Sequence, residues 1–319
     1  MTYSVRFQVA TLWQGDKGTK PHQFEYPPAR SPFLDGYGVW FTTTANKELW
    51  IANAMHHSIL RVHLRTKQSK WFQNPFASAF YPVGGCSATS GQSQDLIILL
   101  TASKRPAQVA HLSREMKVLS VLPLEGEVPF VPPTWIRVAP SRGSYLCSHR
   151  HFKLNGLVSE GQLNEYSMRT GELVQIVEGV TGAAIGQDGV VYVSGGATGG
   201  RGVEPVNPPR GLDPQRWLLV GVDRLQRLYW YSQVRDGRQY VSRLACGDKS
   251  GQLFWEVALT GSKGVLATID PNLQIRLGWG CEWIELNPSG QVEIFAWSDS
   301  SKVQSGVGVY RITIMDDSR

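Results

Sequence analysis

The sequence predicts an all-β chain folded as a β-propeller, and three observations predict it. Short β-branched and aromatic runs lie between turn residues, such runs recur at a blade-like spacing, and extended segments at both termini can share one blade. Composition agrees. The 319 residues include 33 Gly, 18 Pro and 11 each of Trp, Tyr and Phe, while charged residues make up only 18%. That is a turn-rich, aromatic-rich β composition. No composition break divides the chain, so residues 1–319 read as a single propeller domain.

The pattern is clearest between Gly38 and Gln73. Four runs, Val39-Trp40-Phe41-Thr42, Leu49-Trp50-Ile51-Ala52-Asn53, Ile59-Leu60-Arg61-Val62-His63-Leu64 and Lys70-Trp71-Phe72, are separated by turn residues such as Asn46-Lys47 and Thr66-Lys67-Gln68-Ser69. One small sheet cannot bury both its faces, so it requires copies packed alongside. Runs equivalent to the one at Leu49 begin at Leu96, Tyr145, Val190, Leu228 and Ile275, at intervals of 47, 49, 45, 38 and 47 residues. A propeller blade takes about 40–50 residues.

The fourth repeat is irregular. After Val193-Ser194-Gly195-Gly196, residues 197–215 form a long glycine- and proline-rich loop insertion without periodicity, and residues 218–222 either end the fourth repeat or start the fifth. A loop of that length is functional or disordered, and limited proteolysis is expected to cut first between Gly196 and Gln215. At the ends, residues 4–13 alternate loosely, residues 22–26 suggest a second strand, and residues 307–314 alternate again. Terminal strands sharing one blade leave no open sheet edge at the seam. Six internal repeats plus that shared blade favour seven blades. Six is the alternative, if the fourth and fifth repeats are one.

The segment from Leu49-Trp50-Ile51-Ala52-Asn53 to Ile59-Leu60-Arg61-Val62 resembles the Leu-Trp-hydrophobic, Asn/Asp, Ile-x-Arg-hydrophobic signature of NHL, SMP-30-like and streptogramin-lyase-like propellers. The Gly-His and Trp-Asp pairs of WD40 repeats are missing. Gly84-Gly85 and Gly195-Gly196 lack the later Tyr and Trp of kelch repeats. The resemblance implies architecture and carries no catalytic residue across.

In a propeller the loop after each second strand opens on one common face. That face is expected to gather His56 and His57, Lys104 and Arg105, His149, Arg150 and His151, then Arg201 and Arg210, then Arg235 and Arg238. The four histidines are weak catalytic candidates, because imidazole titrates near neutral pH. Neither histidine spacing is a metal-ligand motif, and no metal or cofactor is expected. Glu204, Asp213 and Asp236 are the nearby acids, none paired by spacing. The seven cations make a basic rim suited to a protein partner with an acidic surface, with solvated loop charges as the bland alternative.

Several classes are disfavoured. The charge of +6 at a pI near 9.1 is modest, and no basic run interleaves with exposed rings, so nucleic acid is not the expected partner. Residues 195–200 are glycine-rich but lack the Lys-Ser/Thr ending of a phosphate loop. No run of 18 apolar residues crosses a membrane, and residues 1–17 do not read as a signal peptide. Cys86, Cys147, Cys246 and Cys281 are far apart, which suits reduced thiols in a cytoplasmic protein. Two functions stay open. The first is a non-catalytic platform or subunit of a larger assembly, binding through the basic rim. The second is a small-molecule lyase or hydrolase of lactone or ester type, with histidines at the channel mouth.

Overall fold

A computed structural model of the chain describes all residues except 1–4, 17–21, 25–38, 45–46, 54–56, 77–80, 88–94, 103–104, 127–134, 149–156, 198–199, 237–238, 276–283, 288–289, 299–305 and 317–319. The regular structure of the described part is nearly all β, with two short 3-10 turns at Pro140–Arg142 and Val265–Thr268.

The N-terminal strand β1 (Val5–Gly15) belongs to the sheet that closes the ring. The next sheet holds β2 (Val39–Thr43), β3 (Glu48–Asn53), β4 (Ser58–His63) and β5 (Ser69–Gln73), and the one after it β6 (Tyr81–Ser87), β7 (Leu96–Ala102), β8 (Arg105–Leu112) and β9 (Val118–Pro123). A six-stranded sheet follows, built from β10 (Trp135–Ala139), β11 (Ser144–Ser148), β12 (Gly161–Ser167), β13 (Leu173–Ile185), β14 (Val191–Gly195) and β15 (Val203–Pro205). Strands β16 (Trp217–Val222), β17 (Leu228–Asp236), β18 (Gln239–Gly247) and β19 (Leu253–Ala258) make another. The closing sheet takes β20 (Leu273–Gln274), β21 (Ile284–Leu286), β22 (Val292–Ser298) and β23 (Val307–Asp316), with β1 antiparallel to β23. Both chain ends thus share one sheet, from Val5 opposite Asp316 to Gly15 opposite Val307. Leu12 is the extra residue of a bulge, and it is buried.

The propeller has five sheets, which corrects the expected seven blades and the alternative of six. Two mergers account for the difference. Ile275 follows the two-residue strand β20, which pairs with the same strand β22 as β21 does, so the Ile275 repeat and the terminal blade are one sheet. The repeats at Tyr145 and Val190 also fuse, because β13 pairs with β12 through residues 173–180 and with β14 through residues 180–185. Gly179, at φ 71°, supplies the bend between the two halves. Residues 217–222 form β16 and so start a sheet.

Aromatic rings fill the spaces within and between sheets. Trp40, Trp50, Trp135 and Trp230 are fully buried, as are Tyr192, Tyr229 and Tyr231. Such rings bury the largest area per residue and dominate core energetics. The remaining irregular stretch is also packed. Residues 200–215 contain β15, which runs parallel to β14, and Val206 donates its N–H to the Val193 carbonyl at 2.8 Å. Arg142 grips the Arg201 and Gly202 carbonyls at 2.8 and 2.9 Å.

Candidate functional site

The inner strands β2, β6, β10, β13, β16 and β21 end around one cavity of about 600 Å³, lined by residues from all five sheets. The turn that follows five of these strands repeats. The carbonyls of Thr44, Pro140, Gly186, Asp223 and Asn287 accept the N–H of Lys47, Gly143, Gly189, Gln226 and Gly290 at 2.8–3.1 Å, and each donor residue has a positive φ of 60–79°. Only glycine adopts that conformation without cost, so Lys47 and Gln226 hold it under mild strain. Asp223 adds its own side chain, accepting the N–H of Leu225 and Arg227 at Oδ1, both at 2.9 Å.

Charged and polar groups gather at this mouth. Arg137, Ser141, Asp188, Asp223, Arg224, Glu285 and Asn287 all line it. Arg137 Nη2 reaches Glu285 Oε1 at 3.2 Å, and the Thr42 hydroxyl donates to the same oxygen at 3.2 Å. Strand β10 lies beside β6, whereas β21 lies beside β16, so the Arg137–Glu285 pair crosses the ring rather than joining neighbours. It forms a polar bar across the channel. Arg137 is steadied by its bond to the Ile136 carbonyl at 2.8 Å and by the Trp135 ring, whose centroid is 5.4 Å away. Asp223 Oδ2 accepts Arg227 Nε at 2.7 Å and the Tyr229 hydroxyl at 3.1 Å. Burial raises the Tyr229 pKa, so this phenol stays protonated and donates. The cavity can therefore hold a small polar molecule between opposite charges. Among the described lining residues Thr43, Ser141 and Cys86 carry hydroxyl or thiol groups, and none is a histidine.

Second strands run antiparallel to inner strands, so the ends of β3 and β11 at Asn53 and Ser148 point away from the cavity. Of the histidine candidates, His56, His149 and His151 lie outside the described residues. His57 is half-buried in the β3–β4 turn at φ 48°, and its carbonyl accepts the Asn74 N–H at 2.7 Å. Lys104, Arg150 and Arg238 are also outside the described residues, and Arg235 is described in backbone only. Arg105, Arg201 and Arg210 are exposed. Glu204 pairs with Lys249 at 3.1 Å and Asp213 with Arg216 at 3.4 Å, while Asp236 ends β17. Among the described residues no group of three His, Cys, Asp or Glu is placed to hold a metal ion. Cys86, Cys147 and Cys246 are buried thiols.

Sequence reasoning missed a surface feature on the outer strands. Strand β9 is the last strand of its sheet, and Val118, Leu119 and Val121 are 43%, 55% and 41% exposed. On the adjoining sheet Val174 and Ile176 of β13 are 57% and 44% exposed. The two strands meet end to end. Glu125 donates its N–H to the Gly171 carbonyl at 2.9 Å, and its Oε2 accepts the Leu173 N–H at 3.1 Å. The available signal was the uncharged run Val118-Leu119-Ser120-Val121-Leu122-Pro123, which alternates poorly for a strand with one buried face.

No protein-family model matches the chain, and no curated protein matches it. Among solved structures it is similar to the PQQ-bound aldose sugar dehydrogenase of Streptomyces coelicolor, at 9% identity and a TM-score of 0.55, over 98% of this chain and 100% of that one. It is also similar to a streptogramin B lyase, at 10% identity and a TM-score of 0.47, over 97% of this chain and 98% of that one. The WD40 repeats of RRP9 match at 11% identity and a TM-score of 0.42, over 86% and 79%. At these identities the likeness is one of fold. Fold alone does not assign activity.

Proposed function

We propose that this propeller is a non-catalytic interaction platform, a subunit of a larger assembly that binds protein through its surface. The observation that supports it is the apolar outer face formed by Val118, Leu119, Val121, Val174 and Ile176, since exposed apolar clusters on an edge strand mark interaction sites. Exposed Arg105, Arg201 and Arg210 favour a partner that also carries acidic surface. The test is isolation of the tagged chain with its bound proteins from the native source, beside a Leu119→Lys variant and an Arg201→Glu/Arg210→Glu variant. The platform reading expects a reproducible partner that the first variant loses and the second retains less of. A chain that comes alone in all three cases would end it.

The second reading is a lyase or hydrolase acting on a small lactone or ester. It is favoured by the polar cavity, where Ser141 lies near the Arg137–Glu285 bar and Asp188. Turnover of a lactone or ester panel by the purified chain, abolished in Ser141→Ala, would support this reading over the platform.

A further inference from the structure

We infer that a second pocket, beside the packed 200–215 segment, is a binding site for a neutral saccharide. The inference goes beyond both readings above, since it needs neither a protein partner nor turnover.

The pocket has a volume of about 420 Å³, within the size range of small-molecule sites, and shares no lining residue with the central cavity. Its place in the fold follows from strand direction. Ile185 lines the cavity at one end of β13, whereas Thr181 lines the pocket four residues earlier, roughly 13 Å back along the strand. The walls are held in place by the chain itself. Gln215 accepts the Val158 N–H at its carbonyl at 2.7 Å, and its own N–H is held by Asp213 Oδ1 at 2.9 Å. The bond from the Val206 N–H to the Val193 carbonyl seats Asn207 and Pro208 beside Ser194. A preformed pocket gives up less order on binding.

The lining selects the ligand. Glu160 is the one charged side chain among the described lining residues, which include no Lys, Arg or His to neutralise an anion. Phosphates and carboxylates are therefore poor ligands. The other polar groups carry no charge: Ser159, Asn207 and Gln215, next to the Thr181 and Ser194 hydroxyls, which lie 3.0 Å apart and are 6% and 2% exposed. The side chains of Ser159, Glu160, Asn207 and Gln215 make no hydrogen bond within the described residues, so donors and acceptors of both kinds stand ready. A carboxylate accepts from two neighbouring hydroxyls, and a carboxamide donates to one hydroxyl while accepting from another. The vicinal hydroxyls of a pyranose ring present that pattern. Leu157, Pro208 and Pro214 add an apolar wall for the C–H face of the ring.

Saturation-transfer NMR and calorimetry on the full chain, with methyl glucoside, methyl galactoside, methyl mannoside and maltotriose as probes, test the site. Saturable binding of at least one probe is expected. Glu160→Gln and Asn207→Ala should each weaken it about tenfold, the usual effect of losing one such hydrogen bond. Gly196→Phe should abolish it. Gly196 lines the pocket without a positive φ, and a Cβ added there meets nothing within 4 Å, so the ring fills the pocket and circular dichroism should not change. Binding of no probe, or binding indifferent to Gly196→Phe, overturns the inference. So does a preference for acetyl-trialanine amide over every glycoside, which would make the pocket a peptide site instead.

Discussion

Arg137 Nη2 and Glu285 Oε1 stand 3.2 Å apart across the propeller channel, joining strands from sheets that do not neighbour each other in the ring. The side chains are 20% and 10% exposed, so this pair is held largely out of solvent among the residues that line the cavity. Thr42, on the first sheet after the seam, shares the same carboxylate oxygen. The bar therefore ties three sheets together.

A consequence is a large penalty for removing one partner. Arg137→Ala leaves a mostly buried carboxylate and should cost about 2–4 kcal/mol, discounting a fully buried pair for partial exposure. Arg137→Met with Glu285→Leu should recover most of that loss. Urea unfolding of the single and double variants gives the coupling directly.

The stretch 200–215 should resist protease, contrary to the expectation from its composition. Arg142 holds it down through the Arg201 and Gly202 carbonyls, and Glu165 fixes Arg142 in turn at 2.6 and 3.0 Å. The hydrogen bonds that Arg142 donates to the Glu165 carboxylate hold its pKa above the usual value, so this guanidinium is charged at every working pH. Arg142→Ala should expose the 200–215 backbone to trypsin and cost roughly 1–3 kcal/mol. Peptide mapping of early fragments checks the site of first cleavage.

What could be read from the chain, and what could not, follows from locality. Strands β3 and β4 announce themselves in Leu49-Trp50-Ile51 and Ile59-Leu60, and the shared terminal sheet follows from the alternation at residues 307–314. The sheet count depends instead on pairing between distant residues. Nothing local to Gly179 says that β13 serves two partners, or that β20 and β21 share one edge of β22. The cavity was missed for the same reason. Arg137, Asp188, Asp223 and Glu285 come from separate turns and strands, each ordinary in its own neighbourhood.

Stability should fall in mild acid through His111. Its ring is half-buried against the Tyr145 hydroxyl, and desolvation lowers its pKa despite the opposing pull of Asp95. Burial pushes the Tyr145 hydroxyl up to about 12, so that group stays protonated throughout. Because the folded-state histidine pKa lies below the ordinary value of 6.5, the unfolded chain takes up the proton first. The contribution is fully present above pH 6.5 and is lost as pH falls from there towards the folded-state value. Thermal melts of His111→Gln between pH 7.5 and 5 should show a shallower decline than wild type.

The closed ring on which both the cavity and the outer face depend is tested most directly at its seam. Arg6 lies opposite Met315 in the pairing of β1 with β23, and Met315 is 42% exposed. A chain carrying Arg6→Cys and Met315→Cys should form an internal disulfide in air and melt higher than its reduced form, since the bond closes a loop of nearly the whole chain. A control with Arg6→Cys and Thr313→Cys, two residues out of register, should stay reduced. Linkage in the control alone, or in neither, would contradict the shared terminal sheet.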